Sequence, residues 1–271
     1  MRTILIGITG ASSSGKSTLA HLLKSILPHS EIIHEDDFYK PEEDIPYDPI
    51  RKDRDWDCPD AIDMDAMKQT LSVLTKPNTY SMNLKAAVRE TGNGYFDYAM
   101  ASTEPTVNDA FFNNDERIIK DLMEKVNVKL EHFDSRESFR IFLIDGFLIL
   151  PDKELLKMFS LTLFFKTSYE ALKNRREKRT YNVGGDVWAD PPGYFDTFVW
   201  PGYYTYHKNL FIRGNDEPYI KETGGNLKNE FMEQYNVFEF DNNDQCDADK
   251  LIKKVTLIIA DKIFQGSPHR D

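Results

Sequence analysis

Apolar positions follow two rhythms along this chain. Thr3 to Ile8 is an almost unbroken apolar run of strand length, the pattern of a strand buried on both faces. Leu19, Leu22, Leu23, Ile26 and Leu27 then fall at i, i+3, i+4, i+7 and i+8, one stripe of a helix that Pro28 ends. Glu31 to His34 reads as a short second strand, and Arg140 to Ile144 as a strand that ends in Asp145. Leu161 to Phe165 and Val237 to Phe240 are further strands. Helical spacing returns over 62–73, with Asp60 as candidate cap and Met67, Leu71 and Leu74 on one face. It returns again over 115–131, through Ile118, Ile119, Leu122, Met123, Val126 and Leu130, and over 248–264, through Leu251, Ile252, Val255, Ile258, Ile259 and Ile263. A basic helix is expected from Tyr169 through Arg179. Stretches 41–55, 182–202 and 213–235 read as surface loops or insertions, and 77–113 shows no clean period. Strands alternating with helices predict an α/β chain with a mainly parallel sheet.

Between the first strand and the first helix stand Gly10, Ala11, Ser12, Ser13, Ser14, Gly15, Lys16 and Ser17. They fit the phosphate-binding pattern G-x-x-x-x-G-K-[ST] at every fixed position, in the strand–loop–helix setting that the pattern needs. Gly10 and Gly15 allow close approach of N–H groups to phosphate oxygens, and the helix N-terminus adds its partial positive charge. Lys16 should reach the β- and γ-phosphates, and the Ser17 hydroxyl should ligate Mg²⁺. The chain is expected to bind a nucleoside triphosphate.

The 271 residues suit one large α/β domain with insertions, and 40% hydrophobic with 29% charged residues is ordinary for a soluble globular protein. A net charge of −11 argues against broad nucleic-acid or anionic-membrane binding. Cys58 and Cys246 form neither a metal-ligand spacing nor a disulfide framework, so a reducing, intracellular compartment is expected, and a buried thiol is the expected state of Cys58. No stretch has the length of a membrane span, and the apolar N-terminal run is too short for a signal peptide.

Phosphoryl transfer to an alcohol needs charge neutralisation and a carboxylate to take the proton. Asp36 and Asp37 follow the second strand, and Asp36 is the candidate base, with a second role near Mg²⁺; such a pair also serves as a turn or helix cap. Asp145, after four apolar residues, has the form of an acidic strand end that orients Mg²⁺. Arg175, Arg176 and Arg179 are a local basic site for a closing lid, or a solvated helix face. Trp56 and Asp57 pair an indole face, suited to a flat cationic ring, with a carboxylate suited to ribose hydroxyls. The aromatic run Tyr194 to Tyr206 is expected to pack, and His34 and His207 are assigned no role.

In order, GITGASSSGKSTLA, HEDDFYKP, DWDCPDAID, LIDGFLIL, RREKRTY and DPPGYFDTFVWPGY resemble the nicotinamide riboside kinases, of the uridine-kinase-like branch of P-loop kinases. The blocks span about half of the chain with compatible spacing. The resemblance implies a P-loop kinase fold: one domain over 1–271, a mainly parallel five-stranded sheet flanked by helices, a helical lid at 169–202 and an insertion at 77–138. It implies transfer from ATP, with Mg²⁺, to the ribose 5′-hydroxyl of nicotinamide riboside, with nicotinic acid riboside as a second acceptor. Gly10 through Ser17, Thr18, Arg175 and Arg179 would face ATP, with Lys16, Asp36 and Asp145 catalytic, and Ser17, Asp36 and Asp145 around the metal. Asp36, Tyr39, Trp56, Asp57, Arg176, Tyr181 and Asp190 would meet the nucleoside, Trp56 and Tyr181 forming an aromatic sandwich. The family more familiarly has Tyr at position 56, Glu stands at position 145 in some relatives, and the lid loop 182–189 is lengthened. The long segment 77–138 resembles the fungal type. A cytoplasmic monomer, with the nucleus as a second location, is the expectation. A uridine–cytidine kinase or another small-acceptor kinase is the alternative, and a nucleotide-dependent switch a more distant one; the chain has no Asn-Lys-x-Asp guanine-reading motif.

Overall fold

The N-terminal apolar run becomes β1 (Arg2–Thr9) and leads through the glycine-rich loop into α1 (Lys16–Ile26). β2 (Ser30–His34), a two-residue hairpin of β3 (Tyr47–Asp48) and β4 (Asp53–Arg54), α2 (Met64–Thr75) and α3 (Glu116–Glu131) follow. Then come β5 (Phe139–Gly146), α4 (Lys153–Met158), β6 (Leu161–Lys166), α5 (Tyr169–Arg176) and a hairpin of β7 (Tyr181–Val183) and β8 (Asp186–Trp188). The chain continues through α6 (Trp200–His207), α7 (Glu217–Thr223), α8 (Asn229–Tyr235), β9 (Val237–Asp241) and α9 (Ala248–Phe264). This computed structural model describes residues 2–76, 87, 116–131, 138–179, 181–183 and 186–264.

The main sheet has five parallel strands in the order β2-β5-β1-β6-β9. Strict alternation sorts its side chains into two cores. Ile4, Ile6, Ile8, Ile141, Leu143, Leu163 and Phe165 face α1, α3 and α9, while Leu5, Phe142, Ile144 and Phe164 face α2 and the aromatic segment around α6. Burial on both faces is why these strands read as continuous apolar runs. Among the described residues no helix is long and apolar enough to cross a membrane.

Several expectations are corrected. α2 is capped by Asp63, whose carboxylate accepts from Ala66 N at 2.9 Å, and not by Asp60. The backbone of Ile62 and Asp63 is held extended against Tyr39 and Phe38, which delays the helix. α5 ends at Arg176, short of the expected Arg179, which lies in a tighter turn with its N–H on the Arg176 carbonyl. Residues 213–235 hold two short helices whose Ile220, Phe231 and Tyr235 are buried, and 182–202 holds a hairpin and a π-helical turn, Phe195–Val199. α3 turns Leu122 and Val126 inward but leaves Met123 exposed. Apart from Ala87 and α3, the expected insertion at 77–138 lies almost entirely outside the described residues.

Candidate active site

The parallel sheet gathers the carboxyl ends of its strands on one edge, where the glycine-rich loop leaves β1. Gly10 lets that loop touch the end of β6: a Cβ there would stand 2.4 Å from the Phe165 carbonyl oxygen. Gly15 has φ +89°, and its missing Cβ leaves room for the Asn242 amide, which donates to the Ser14 carbonyl at 2.6 Å. No side chain caps α1, so its first-turn amides remain directed into the loop as an anion site. The buried hydroxyls of Ser13 and Ser14 have no hydrogen-bond partner among the described residues. Lys16 is buried beside this cradle, with Ser17 and Thr18 half-buried in the same turn.

Asp145 and His34 are ladder neighbours at the ends of β5 and β2, and His34 Nδ1–H donates to Asp145 Oδ2 at 3.1 Å. Burial pushes the Asp145 carboxyl up, but His34, the Lys16 ammonium and the Ser17 hydroxyl outweigh it and hold the group below its ordinary value. His34 is raised in return: the Asp145 contact and the Asp37 and Asp36 charges overcome burial, the largest single influence, which acts downward. The sequence assigns His34 no role, because its partner is 111 positions away.

The two aspartates after β2 divide their work. Asp37 accepts from the His34 backbone N–H at 3.3 Å and caps the 3-10 turn Glu35–Phe38, whereas Asp36 is exposed. Glu35 points the other way and is fully buried. Burial raises its carboxyl to about 8, against the N–H groups of Leu148 and Phe147 that bind it.

The donor set fits Mg²⁺. Asp145 Oδ1 is buried with no partner among the described residues, and Ser17 and the exposed Asp36 belong to the same strand-end edge. Among the described residues no three His, Cys, Asp or Glu side chains could cage a metal alone.

In the second cluster of candidate residues, Tyr39 donates its hydroxyl to the Trp56 carbonyl at 3.0 Å, and the two rings meet edge to face at 5.5 Å. Asp57 is buried, and burial raises its carboxyl to about 6 in spite of the Arg176 charge. Asp55, Asp190 and Asp36 act in the same direction as burial, which puts three further carboxyls and Arg176 within electrostatic reach of Asp57. Arg176 pairs with Asp190 through Nε and, at 3.2 Å, through its second terminal nitrogen. Its remaining terminal nitrogen donates to Ser12 Oγ at 2.6 Å, linking this cluster to the glycine-rich loop. Arg175 is turned to the loop after β9, donating to Asp244 at 2.7 Å and to the Asn242 carbonyl at 2.9 Å. The backbone of Tyr181 pairs with Trp188, and its side chain lies outside the described residues.

Two further residues shape this side. Gly202 in α6 lets the helix lie on the Asp57 backbone, since a Cβ there would be 2.6 Å from the Asp57 carbonyl oxygen. Tyr194 is buried with its hydroxyl pushed well up by burial and by Asp57, and it meets the Trp56 backbone. Tyr194, Phe195, Phe198, Trp200 and Tyr203 are therefore core, as expected, and also the wall behind Trp56 and Asp57, whereas Tyr206 at the end of the run is exposed. Cys58 is buried as expected and donates weakly to the Asp55 carbonyl at 3.3 Å.

No protein-family model matches the chain. It is similar to the nicotinamide riboside kinase of Schizosaccharomyces pombe, 34% identical over 216 residues that cover 79% of this chain and 83% of that protein. It is similar to the nicotinamide riboside kinase of Saccharomyces cerevisiae, 32% identical over 80% of this chain and 82% of the relative. The human nicotinamide riboside kinase 2 is 29% identical over 80% and 73%.

Proposed function

The chain belongs to the nicotinamide riboside kinase family, and from that premise we propose that it moves the γ-phosphoryl group of ATP to the ribose 5′-hydroxyl of nicotinamide riboside. The products are nicotinamide mononucleotide and ADP, and nicotinic acid riboside is a second acceptor. The observation that carries the reading is the join between the two half-sites: Arg176 touches both Ser12 of the phosphate loop and Asp190 of the acceptor side.

In this reading the amides of the loop and the Lys16 ammonium hold the β- and γ-phosphates. Asp36, exposed at the end of β2, takes the 5′-hydroxyl proton as the oxygen bonds to the γ-phosphorus and the bond to the bridging oxygen breaks. Arg176 is placed to leave Asp190 for the phosphoryl charge. Bound through Ser17 and Asp145, Mg²⁺ would supply neutralisation of the β- and γ-oxygens. Asp57 accepts the ribose hydroxyls, and Trp56, with Tyr181 as the proposed opposite face, covers the pyridinium ring. The carboxyls around Asp57 favour a cationic ring over a neutral uracil.

The test is transfer from Mg-ATP to nicotinamide riboside and to uridine, side by side. Preference for nicotinamide riboside is expected, and preference for uridine would overturn the acceptor assignment. Asp36→Asn should lower turnover by about 10²–10⁴-fold with Mg-ATP binding retained; near-normal turnover would remove Asp36 as base.

A further inference from the structure

Glu35 and Asp36 are consecutive, yet one is fully buried and the other exposed. The buried carboxyl reaches across to the chain leaving β5. Its Oε2 accepts from Phe147 N at 2.7 Å and from Leu148 N at 3.0 Å. Gly146 makes the approach possible, because a Cβ there would stand 2.8 Å from both Cβ and Cδ of Glu35. The other oxygen, Oε1, is buried with no partner among the described residues.

The place of this contact gives it meaning. The β2–β5 ladder ends at the pair His34↔Asp145. Beyond it the two chains are free to diverge, one carrying Asp36 and the other leaving Asp145. Glu35 continues the pairing by a side chain just where backbone pairing stops. A buried carboxyl with one unpartnered oxygen is a costly way to satisfy two amides. Its return is a fixed spacing between two functional strand ends.

We propose that Glu35 is a positioning residue for phosphoryl transfer, holding the chain after β2 to the chain after β5 and so setting Asp36 relative to Asp145. This rests on the kinase reading above. Misplacement of reacting groups by an ångström costs about 10²-fold in rate. Glu35→Ala should therefore lower kcat by about that factor, with both KM values within about threefold of wild type. Glu35→Gln keeps an acceptor oxygen for both N–H groups and should restore kcat to within about fivefold. Gly146→Ala, which drives the carboxyl off the strand end, should lower kcat in the wild-type background and add little to Glu35→Ala.

A second readout needs no acceptor. Calorimetric ATP affinity is compared with and without Mg²⁺ in wild type, Glu35→Gln, Glu35→Ala and Gly146→Ala. The Mg²⁺-dependent gain should shrink several-fold in the last two, with Mg²⁺-free affinity unchanged. The proposal is overturned if Glu35→Ala lowers the melting temperature but leaves kcat and the Mg²⁺ gain intact, or if Glu35→Gln falls as far as Glu35→Ala. If Glu35→Ala does not fold, Gly146→Ala with an unchanged Mg²⁺ gain overturns it alone. A wild-type protein inert toward nicotinamide riboside would sink the kinase reading, and the calorimetry would still judge Glu35.

Discussion

Lowering the pH from 7 to 5 should weaken the hold on the acceptor well before the hold on the nucleotide, because of Asp57. Burial lifts this carboxyl from an ordinary 3.8 to about 6, with Arg176 opposing and Asp55, Asp190 and Asp36 assisting. Only the carboxylate can accept from both hydroxyls of a ribose and attract a pyridinium. With a midpoint near 6, about nine tenths of the molecules carry it at pH 7 and about one tenth at pH 5. kcat/KM for nicotinamide riboside should then fall about tenfold, equivalent to about 1.4 kcal/mol. Folding moves the other way. Between 3.8 and about 6 the folded chain binds a proton that the unfolded chain does not, so protonating Asp57 stabilises the fold as pH falls. Unfolding through this group therefore cannot mimic the loss. The assay is initial rates from pH 4.5 to 8, nicotinamide riboside varied at saturating Mg-ATP, then the reverse. Asp57→Asn should cost about 10–100-fold at pH 7, the worth of a charged hydrogen bond, and remove the inflection. A flat wild-type profile between pH 5 and 7, or the same inflection in Asp57→Asn, would refute the reasoning.

Gly15→Ala places a Cβ at φ +89° and 2.6 Å from the Asn242 amide, a strain of about 1–2 kcal/mol before Asn242 moves; calorimetry should show ATP affinity at least about tenfold weaker, and unchanged affinity would refute it. Trp56→Ala should raise KM for the nucleoside about tenfold and leave KM for ATP within about twofold; equal shifts would return the ring to the core. His207 is fully buried, and burial lowers it from 6.5 to about 4 although the Tyr203 carbonyl accepts from its ring. Its neutral form is the folded one, so stability is present above 6.5 and is lost toward pH 4, about 3 kcal/mol in all. Melting curves of His207→Gln should lack that pH dependence, and an identical dependence would assign it to another group.

What the sequence disclosed was what neighbours in the chain can do together. The phosphate loop is eight consecutive residues, and β1, β5 and β6 announce themselves because both faces of each are buried. What it withheld depends on distant pairing or on local backbone detail. Nothing in the Asp36–Asp37 doublet says which one caps the turn; the backbone of His34 decides it. His34 and Glu35 acquire partners only through the β2–β5 register. Arg175 reads as a lid arginine until Asp244 arrives beside it, 69 positions on. Seven-residue helices such as α7 and α8 are two turns long, too short for an apolar period to stand out. Gly202 looks like a helix blemish until Asp57 lies against it.

The central strand is synthesised before either of its neighbours. β1 pairs with β5 and β6, both made more than a hundred residues later, and the loop behind it is fastened by Asn242, 228 positions from Ser14. At about 5–20 residues per second the ribosome needs about 10–50 s to cover that interval. Until β5 and β6 emerge, for the first part of that time, an apolar strand with two open edges must be kept from other chains. ATP cannot help, because a ligand stabilises only the state that binds it, and this cradle is finished when Asn242 docks. Cellular nucleotide thus protects the completed enzyme but not the nascent chain, whose hazard lies entirely in the order of its synthesis.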